Sequence, residues 1–364
     1  MKICIIGLWH LGLITTVTLA KMGHKLRSFD NEKIIKKLNL GKFPINEKNL
    51  INYYKKYRKN IKFENINNNF KNEKIFWLTF DTPLDENDNF DHQKILSKFK
   101  YILKKIPKNA IIIISSQIPI GTIGKLQSYD KLVLKKKFSF FYVPENLRLG
   151  SSIKNFLNPD RIIIGTDITN KTKINIIKKI FRKINCQKYI VNSETAEMSK
   201  HVINSFLANS ISFINEIAML GSNYDINFDD LEKTVKSDRR IGFKSYLKSG
   251  FSFSGGTLAR DVNILKETSR KNKVPLKLIN NIIRSNSLRE KNIINLIKKN
   301  IPKKKKIQIL QIGITYKKGT NTLRRSFPYK VYEIFNSLKN CKIELIDNDI
   351  DKNYFNKLMQ NFKK

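Results

Sequence analysis

The first thirty residues constrain the fold more than any other stretch of the chain. Lys2–Ile6 is an apolar run of strand length, a turn bounded by Gly7 and Gly12 follows, an amphipathic helix is expected to about Met22, and a second strand ends at Asp30. A strand, a helix and a second strand of this length form a parallel crossover, because the helix must carry the chain back to the starting edge of the sheet. More strand-like runs follow at Ile75–Phe80, Ala110–Ser116, Ser139–Val143 and Arg161–Gly165, with helix-like stretches between several of them. Alternation of this kind predicts an α/β fold whose N-terminal part is a Rossmann-like, doubly wound parallel sheet.

Gly7-Leu8-Trp9-His10-Leu11-Gly12 occupies the place of a G-x-G-x-x-G turn, in which backbone amides at a helix N-terminus hold a pyrophosphate. Trp9 stands where the middle glycine belongs, so its side chain must lie away from the phosphates or the ligand must sit higher. Alone, the motif is weak, and a plain strand–turn–helix is the simpler reading. Asp30 strengthens it, since a carboxylate at the end of the second strand accepts hydrogen bonds from ribose hydroxyls and repels a 2′-phosphate. The expected cofactor is therefore NAD rather than NADP, held by Gly7, Trp9, His10, Leu11, Gly12 and Asp30.

A chain of 364 residues suits two or three domains. Its 41% hydrophobic and 10% aromatic content is that of a globular protein with a sizeable core. No run approaches the ~18–20 apolar residues of a membrane span, and no signal peptide is expected. Cys4, Cys186 and Cys341 show no paired spacing, and His10, His24, His92 and His201 no metal spacing, so packing roles and a reducing cytoplasm are expected. The net charge of +40 is the usual footprint of a nucleic-acid partner. Here the lysines are spread along well-patterned sequence, which favours solvated faces with a general pull on anionic ligands.

From Glu194 to about Tyr224 the period becomes helical, with Ala196, Val202, Ile203, Phe206, Leu207, Ile211, Ile214 and Ile217 as an apolar face. A helical segment continues to about Asn300. After Pro302 come a strand at Ile307–Ile312, a helix-like stretch and a strand near Ile343–Ile346, a short second α/β unit. The expected domains are 1–190, 191–300 and 301–364.

Several segments carry a family resemblance. Val143-Pro144-Glu145-Asn146-Leu147-Arg148-Leu149-Gly150 and Phe156-Leu157-Asn158-Pro159-Asp160-Arg161 look like N-P-E-F-L-R-E-G and F-L-N-P-D-R-I. Glu194 to Glu216 is similar to an E-T-A-E-x-x-K-x-x-x-N-x-F-L-A helix, Gly250–Asp261 to G-x-G-F-G-G-S-C-F-x-K-D, and Gly313–Ser326 to G-x-x-F-K-x-x-T-x-D-x-R-x-S. Together they resemble, over nearly the whole chain and in order, the UDP-glucose and GDP-mannose dehydrogenases. That family oxidises the primary alcohol at the sixth carbon of a nucleotide sugar to a carboxylate with two NAD, on two α/β domains joined by a helical, dimer-forming core. The resemblance implies the same architecture, a homodimer and a nucleotide-sugar substrate, with a UDP-sugar favoured. It also implies that the last domain is shortened.

By the same resemblance, Lys200 and Asn204 stabilise a forming alkoxide; four residues apart on one helical face, they can point together at one oxygen. Glu145 matches a family glutamate that handles protons or contacts ligand, although it could instead pair with Arg148. Asp261 positions a water or its neighbour Thr257, which stands in the place of the cysteine nucleophile. An unassisted hydroxyl is hardly ionised near neutral pH, whereas a thiol is partly so. Either the oxidation stops at a carbonyl or a hydrated aldehyde is oxidised without an enzyme-bound intermediate. Leu147, Gly250, Phe253, Gly255, Arg260 and Lys317 join Glu145, Lys200 and Asn204 as expected substrate contacts, and Thr82, Thr122 and Arg324 as cofactor contacts. Leu149, Gln117, Asn321, Thr322 and Arg325 depart from the family pattern, the last three replacing acids. A non-catalytic protein of the same fold that binds NAD or a nucleotide sugar is the alternative, and a basic nucleic-acid-binding module a distant third.

Overall fold

The computed structural model describes residues 1–45, 47–68, 70, 73–82, 91–128, 131–145, 147–302, 306–320, 323, 325–350 and 355. Arg324, Asn321 and Thr322 lie outside these, as does Asn146. The chain forms two compact units, Met1–Lys200 and His201–Lys364.

The first unit holds strands β1 (Lys2–Ile6), β2 (Lys25–Asp30), β3 (Ile61–Asn65), β4 (Ile75–Leu78), β5 (Ile111–Ile114), β6 (Ser139–Tyr142), β7 (Arg161–Gly165) and β8 (Gln187–Val191). Its helices are α1 (His10–Lys21), α2 (Glu32–Asn39), α3 (Leu50–Tyr57), α4 (His92–Lys105), α5 (Thr122–Ser128), α6 (Lys131–Lys135), α7 (Ser152–Leu157) and α8 (Lys171–Ile180), with a 3₁₀ turn before β3. The strand order is β3-β2-β1-β4-β5-β6-β7-β8, and only the β6–β7 pairing is antiparallel. The chain reverses its direction of winding between β1 and β4, and the crevice beyond their C-terminal ends is where such sheets take ligands.

Both faces of the sheet are covered, which explains strands such as Ile111–Ile114 that are apolar at every position. Alternate residues enter opposite cores, as a period of two requires. Ile3, Ile5, Trp77, Ile111 and Ile113 pack with α1, α3 and α8, whereas Cys4, Ile6, Phe76, Leu78, Ile112 and Ile114 pack with α4 and α5. The expected amphipathic first helix is in fact buried on every face from Leu11 to Ala20. It packs between the sheet and α3 and α7. Two of its three threonines are satisfied internally, since Thr18 donates to the Ile14 carbonyl and Thr16 bonds Ser28 at 3.0 Å, whereas the buried Thr15 hydroxyl has no hydrogen-bond partner among the described residues.

Helix α9 (Ser193–Gly221) begins in the first unit and continues in the second, which adds α10 (Phe228–Ser237), α11 (Thr257–Lys271), α12 (Lys277–Lys299), β9 (Ile307–Ile312), α13 (Phe327–Asn336) and β10 (Cys341–Ile346). Ala208, Phe253, Val262 and Ile282 form a small core among α9, α11 and α12. Strands β9 and β10 pair in parallel from Ile307–Cys341 to Ile312–Ile346, with α13 packed on β10.

The apolar face expected on α9 divides. Ala196 and Ile214 are buried, but Val202 and Phe206 are exposed and fall in line with exposed Met198, Phe213 and Leu220. At 3.6 residues per turn these five share one stripe. Apart from Ile214, the buried side of this stretch is small or polar, with Ser205, Ala208, Ser212, Asn215 and Ala218.

Candidate functional site

The turn after β1 is built by close backbone approach. Gly7 has φ +99°, and a β-carbon on Gly12 would lie 1.8 Å from the Gly7 carbonyl oxygen, so only glycine lets α1 start there. Thr79, at the end of β4, donates to that same carbonyl at 2.8 Å. Asp30 accepts from Leu8 N at 2.6 Å through Oδ2 and from Asn31 N at 2.7 Å through Oδ1. The carboxylate is thereby fixed against the turn at the strand end.

The start of α1 has no side-chain cap and no acidic residue in its first turn, which leaves its amides and dipole available to an anion. These features fit a dinucleotide: Gly7, Gly12 and the α1 amides would hold its pyrophosphate and Asp30 its ribose. Leu11 is buried and contributes backbone only, while the Trp9 indole is exposed at the helix start, pointing out of the protein core.

His10 is organised by a network absent from the sequence reading. Its Nε2 lies 2.8 Å from Ser152 Oγ, and Glu47 accepts from Ser152 N at 2.8 Å, Ser152 Oγ at 3.0 Å and Gly150 N at 3.0 Å. Burial alone would raise the Glu47 carboxyl, but the donors from His10, Ser152 and Gly150 outweigh it and hold the group below the ordinary carboxylate range. Thr82 donates to the Gln117 carbonyl at 2.9 Å and Thr122 to that of Pro119 at 2.6 Å. Both threonines thus shape the 117–122 turn. That turn is anchored by buried Glu197, which accepts from Gly121 N at 2.5 Å and Ile123 N at 2.9 Å.

One turn further along α9, Lys200 is buried and bridges to Glu145 Oε1 at 3.0 Å, and it also donates to the Glu145 carbonyl oxygen. Glu145 Oε2 accepts from Leu147 N at 2.7 Å. Glu145 therefore pairs with Lys200 and not with Arg148, whose side chain is exposed. Desolvation explains the choice: a buried ammonium needs the carboxylate more than a surface guanidinium does.

In the second unit, Asp261 is fully buried at the first turns of α11. Its Oδ1 lies 2.5 Å from His201 Nδ1, and its Oδ2 accepts from the Asn204 side-chain amide. Lys200 and Asn204, expected to point at one oxygen, are thus each engaged by a different carboxylate. Thr257 is the first residue of α11 and is exposed, and among the described residues no carboxylate or imidazole hydrogen-bonds its hydroxyl.

The loop before α11 is stitched by side chains. Gly250 N donates to Asn215 Oδ1 at 2.9 Å, Phe253 is buried and exchanges two hydrogen bonds with Asn286, and Gly255 N donates to the Arg325 carbonyl at 2.9 Å. Arg260 is half-buried in the first turn of α11, and the Lys317 side chain is exposed. His201, Ser152, Glu47 and Glu197 were missed by the sequence reading. Glu197 alone had a signal, the second glutamate of the E-T-A-E segment.

A sheet ordered 3-2-1-4-5-6 from β1 to β6, an uncapped helix behind a glycine turn and a carboxylate at the next strand end define a dinucleotide-binding α/β protein. Comparison with protein families carries this further. Residues 1–185 match the NAD binding domain and residues 194–288 the central domain of the UDP-glucose/GDP-mannose dehydrogenase family, and the chain belongs to that family of NAD-dependent nucleotide-sugar dehydrogenases. The UDP-glucose 6-dehydrogenase of Rickettsia prowazekii is 35% identical over 338 residues, 90% of this chain and 76% of that protein. UDP-glucose 6-dehydrogenase TuaD of Bacillus subtilis is 30% identical over 89% of this chain and 71% of its own length. The fold is shared with a UDP-glucose dehydrogenase structure from Pyrobaculum islandicum, at TM-score 0.84 and 20% identity over 96% of this chain and 82% of that one. A UDP-D-ManNAc dehydrogenase from Pyrococcus horikoshii gives 0.82 and 24% over 96% and 84%. No described helix is long and apolar enough to cross a membrane.

Proposed function

We propose that this protein oxidises the primary alcohol of a UDP-hexose with NAD and does so without a covalent enzyme intermediate, as a cytoplasmic homodimer that supplies polysaccharide precursors. The buried Lys200–Glu145 pair carries the reading. Oxidation of an alcohol needs a cation or donor at the forming alkoxide and an acceptor for the hydroxyl proton, and a desolvated ammonium held by a carboxylate supplies both. Asn204 adds a second donor. Asp261 accepts from its amide, which leaves the other N–H of that amide to face an oxyanion. Bound NAD would supply the hydride acceptor.

Thr257 stands where the resemblance places the cysteine. Its hydroxyl, at an exposed helix start and without a described base, lacks the activation that nucleophilic attack requires. The exposed apolar stripe on α9 supports a second copy of the chain as its cover.

The test is NADH formed per mole of UDP-sugar consumed by the purified protein, with product mass measured in parallel. One NADH and a carbonyl product are expected for a single-step enzyme. Two NADH and a uronate would assign the noncovalent four-electron route, whereas tight NAD binding without turnover on any UDP- or GDP-sugar would overturn the dehydrogenase reading.

A further inference from the structure

We infer that Glu47 and Ser152 are positioning residues for the cofactor: they hold the His10 ring so that its Nδ1 is offered to the pyrophosphate of NAD, and NAD binding takes up a proton there. This role is independent of which sugar is oxidised, or whether one is.

Ser152 is fully buried, and its hydroxyl has three polar neighbours: Glu47 Oε2 at 3.0 Å, the Arg148 carbonyl at 2.9 Å and His10 Nε2 at 2.8 Å. A hydroxyl has one hydrogen to give, and a carboxylate or a carbonyl can only accept. Were that hydrogen turned to His10, both acceptors would face bare lone pairs. The hydrogen therefore goes to Glu47 or Arg148, and His10 Nε2 carries the hydrogen of its own bond to the serine. Glu47 is itself locked in place, since Ser152 N donates to it at 2.8 Å and Gly150 N at 3.0 Å.

Nε2 is thus committed to the start of α7, and Nδ1 has no hydrogen-bond partner among the described residues. Nδ1 is the ring nitrogen nearer the main chain, and His10 is the first residue of α1, beside the uncapped amides that would hold the pyrophosphate. With Nε2 protonated, a neutral ring shows a phosphate only the lone pair of Nδ1. The contact becomes attractive when Nδ1 is protonated as well. Glu47 Oε2, 3.8 Å from Nε2 on a side chain 1% exposed, favours that cation.

Glu47 is the one carboxylate within 4 Å of the ring nitrogens among the described residues. The first turn of α1 carries no acid, and Asp30, at the end of β2, is bonded to Leu8 N and Asn31 N. The side chains of Arg148 before α7, Lys154 on α7, and Lys55 and Lys56 on α3 are exposed.

The experiment is calorimetric titration of NAD into the full chain between about pH 6 and 8.5, in buffers of different ionisation heat, for wild type, Ser152→Ala and His10→Gln. Wild type is expected to take up protons on binding and to lose about tenfold in affinity as pH rises, the scale of one charge-assisted hydrogen bond. Ser152→Ala should weaken NAD chiefly at the acid end and so flatten the profile. His10→Gln, at a half-buried position, keeps a donor that does not titrate and should bind without proton uptake, whether or not the buried serine tolerates replacement.

A wild-type affinity that does not change with pH, or proton uptake that survives in His10→Gln, would overturn the contact. An equal loss at every pH in Ser152→Ala would assign the network to scaffolding and overturn the positioning role. NADH formation is scored separately: proton-linked NAD binding without turnover would sink the dehydrogenase reading and keep this one.

Discussion

A carboxylate only accepts hydrogen bonds, and at Asp261 this decides the orientation of two neighbours. One oxygen holds the His201 ring and the other the Asn204 amide, so the Asn204 nitrogen must face Asp261 and its remaining N–H is aimed by that contact. Replacing His201 with Leu leaves a fully buried carboxylate short of a donor, which costs on the order of 1–3 kcal/mol. Melting should detect that loss, and kcat should fall more than KM for NAD, with His201→Asn restoring part of kcat. Equal kcat in a destabilised His201→Leu protein would reduce the histidine to packing. Thr257→Cys is expected to raise NADH per sugar from one to two, because a thiol at the same helix start is partly ionised. An unchanged ratio would show that more than the nucleophile is missing. Lys200, Asn204, Asp261 and Glu145 were singled out in the sequence through the family motifs they resemble, and the structure adds their hydrogen-bond partners. His201 was not: its partner lies sixty residues away, and one histidine in a helix has no period to reveal it.

The strands read most easily were the interior ones. In the large sheet Lys2–Ile6 and Arg161–Gly165 match their expected bounds, as Ile307–Ile312 does in the two-stranded one; the runs expected at Ile75–Phe80 and Ser139–Val143 end two residues and one residue early, and that at Ala110–Ser116 starts one residue late and ends two early. The strands missed, β3 and β8, are the two edges of the large sheet, and residues such as Lys62, Glu64, Gln187 and Lys188 give them little apolar signal. Helix α1 was misread as amphipathic because its threonines look solvent-facing in sequence, although each is buried and Thr16 and Thr18 are paired within the fold. Helix α9 poses the opposite problem. Its pattern announces an apolar face without saying whether the protein's own core or another chain covers it. The exposed stripe of Val202, Phe206 and Phe213 favours another chain, so the double substitution Phe206→Lys, Phe213→Lys is expected to convert a dimer to a monomer in sedimentation or light scattering. The melting temperature of the monomer should then lose its dependence on protein concentration. A wild type that is monomeric at micromolar concentration would remove this assignment.

For the molecule as a whole, the charge of +40 makes acidity the condition that tests its stability hardest. Three groups shift in the same sense. The Arg27 guanidinium, bonded to Glu64 at 2.7 and 2.8 Å, holds that carboxyl below its ordinary range, and the donors around Glu47 do the same against the effect of burial. Burial, with the N-terminal ammonium second, pushes the His24 imidazole below its ordinary 6.5. In each case the unfolded chain binds protons more readily than the folded one, so stability rises with pH across the transition. His24 contributes fully above pH 6.5 and loses its contribution as pH falls below it; Glu47 and Glu64 contribute fully above 4.5 and lose theirs as pH falls through their lower folded values. Protonated carboxylates also raise the net positive charge, which adds repulsion on the same side. Melting curves are therefore expected to be flat above about pH 7, to decline from about 6.5 and to steepen below about 4.5. Glu47→Gln should lower stability near neutrality by about 1–3 kcal/mol and flatten the steep limb, since an uncharged amide has no proton to take up. Added salt should recover the part due to repulsion, which is screened over ~8–10 Å, and leave the Glu47-dependent part in place. A melting temperature that holds level down to pH 5 would show that His24 titrates as it does in the unfolded chain.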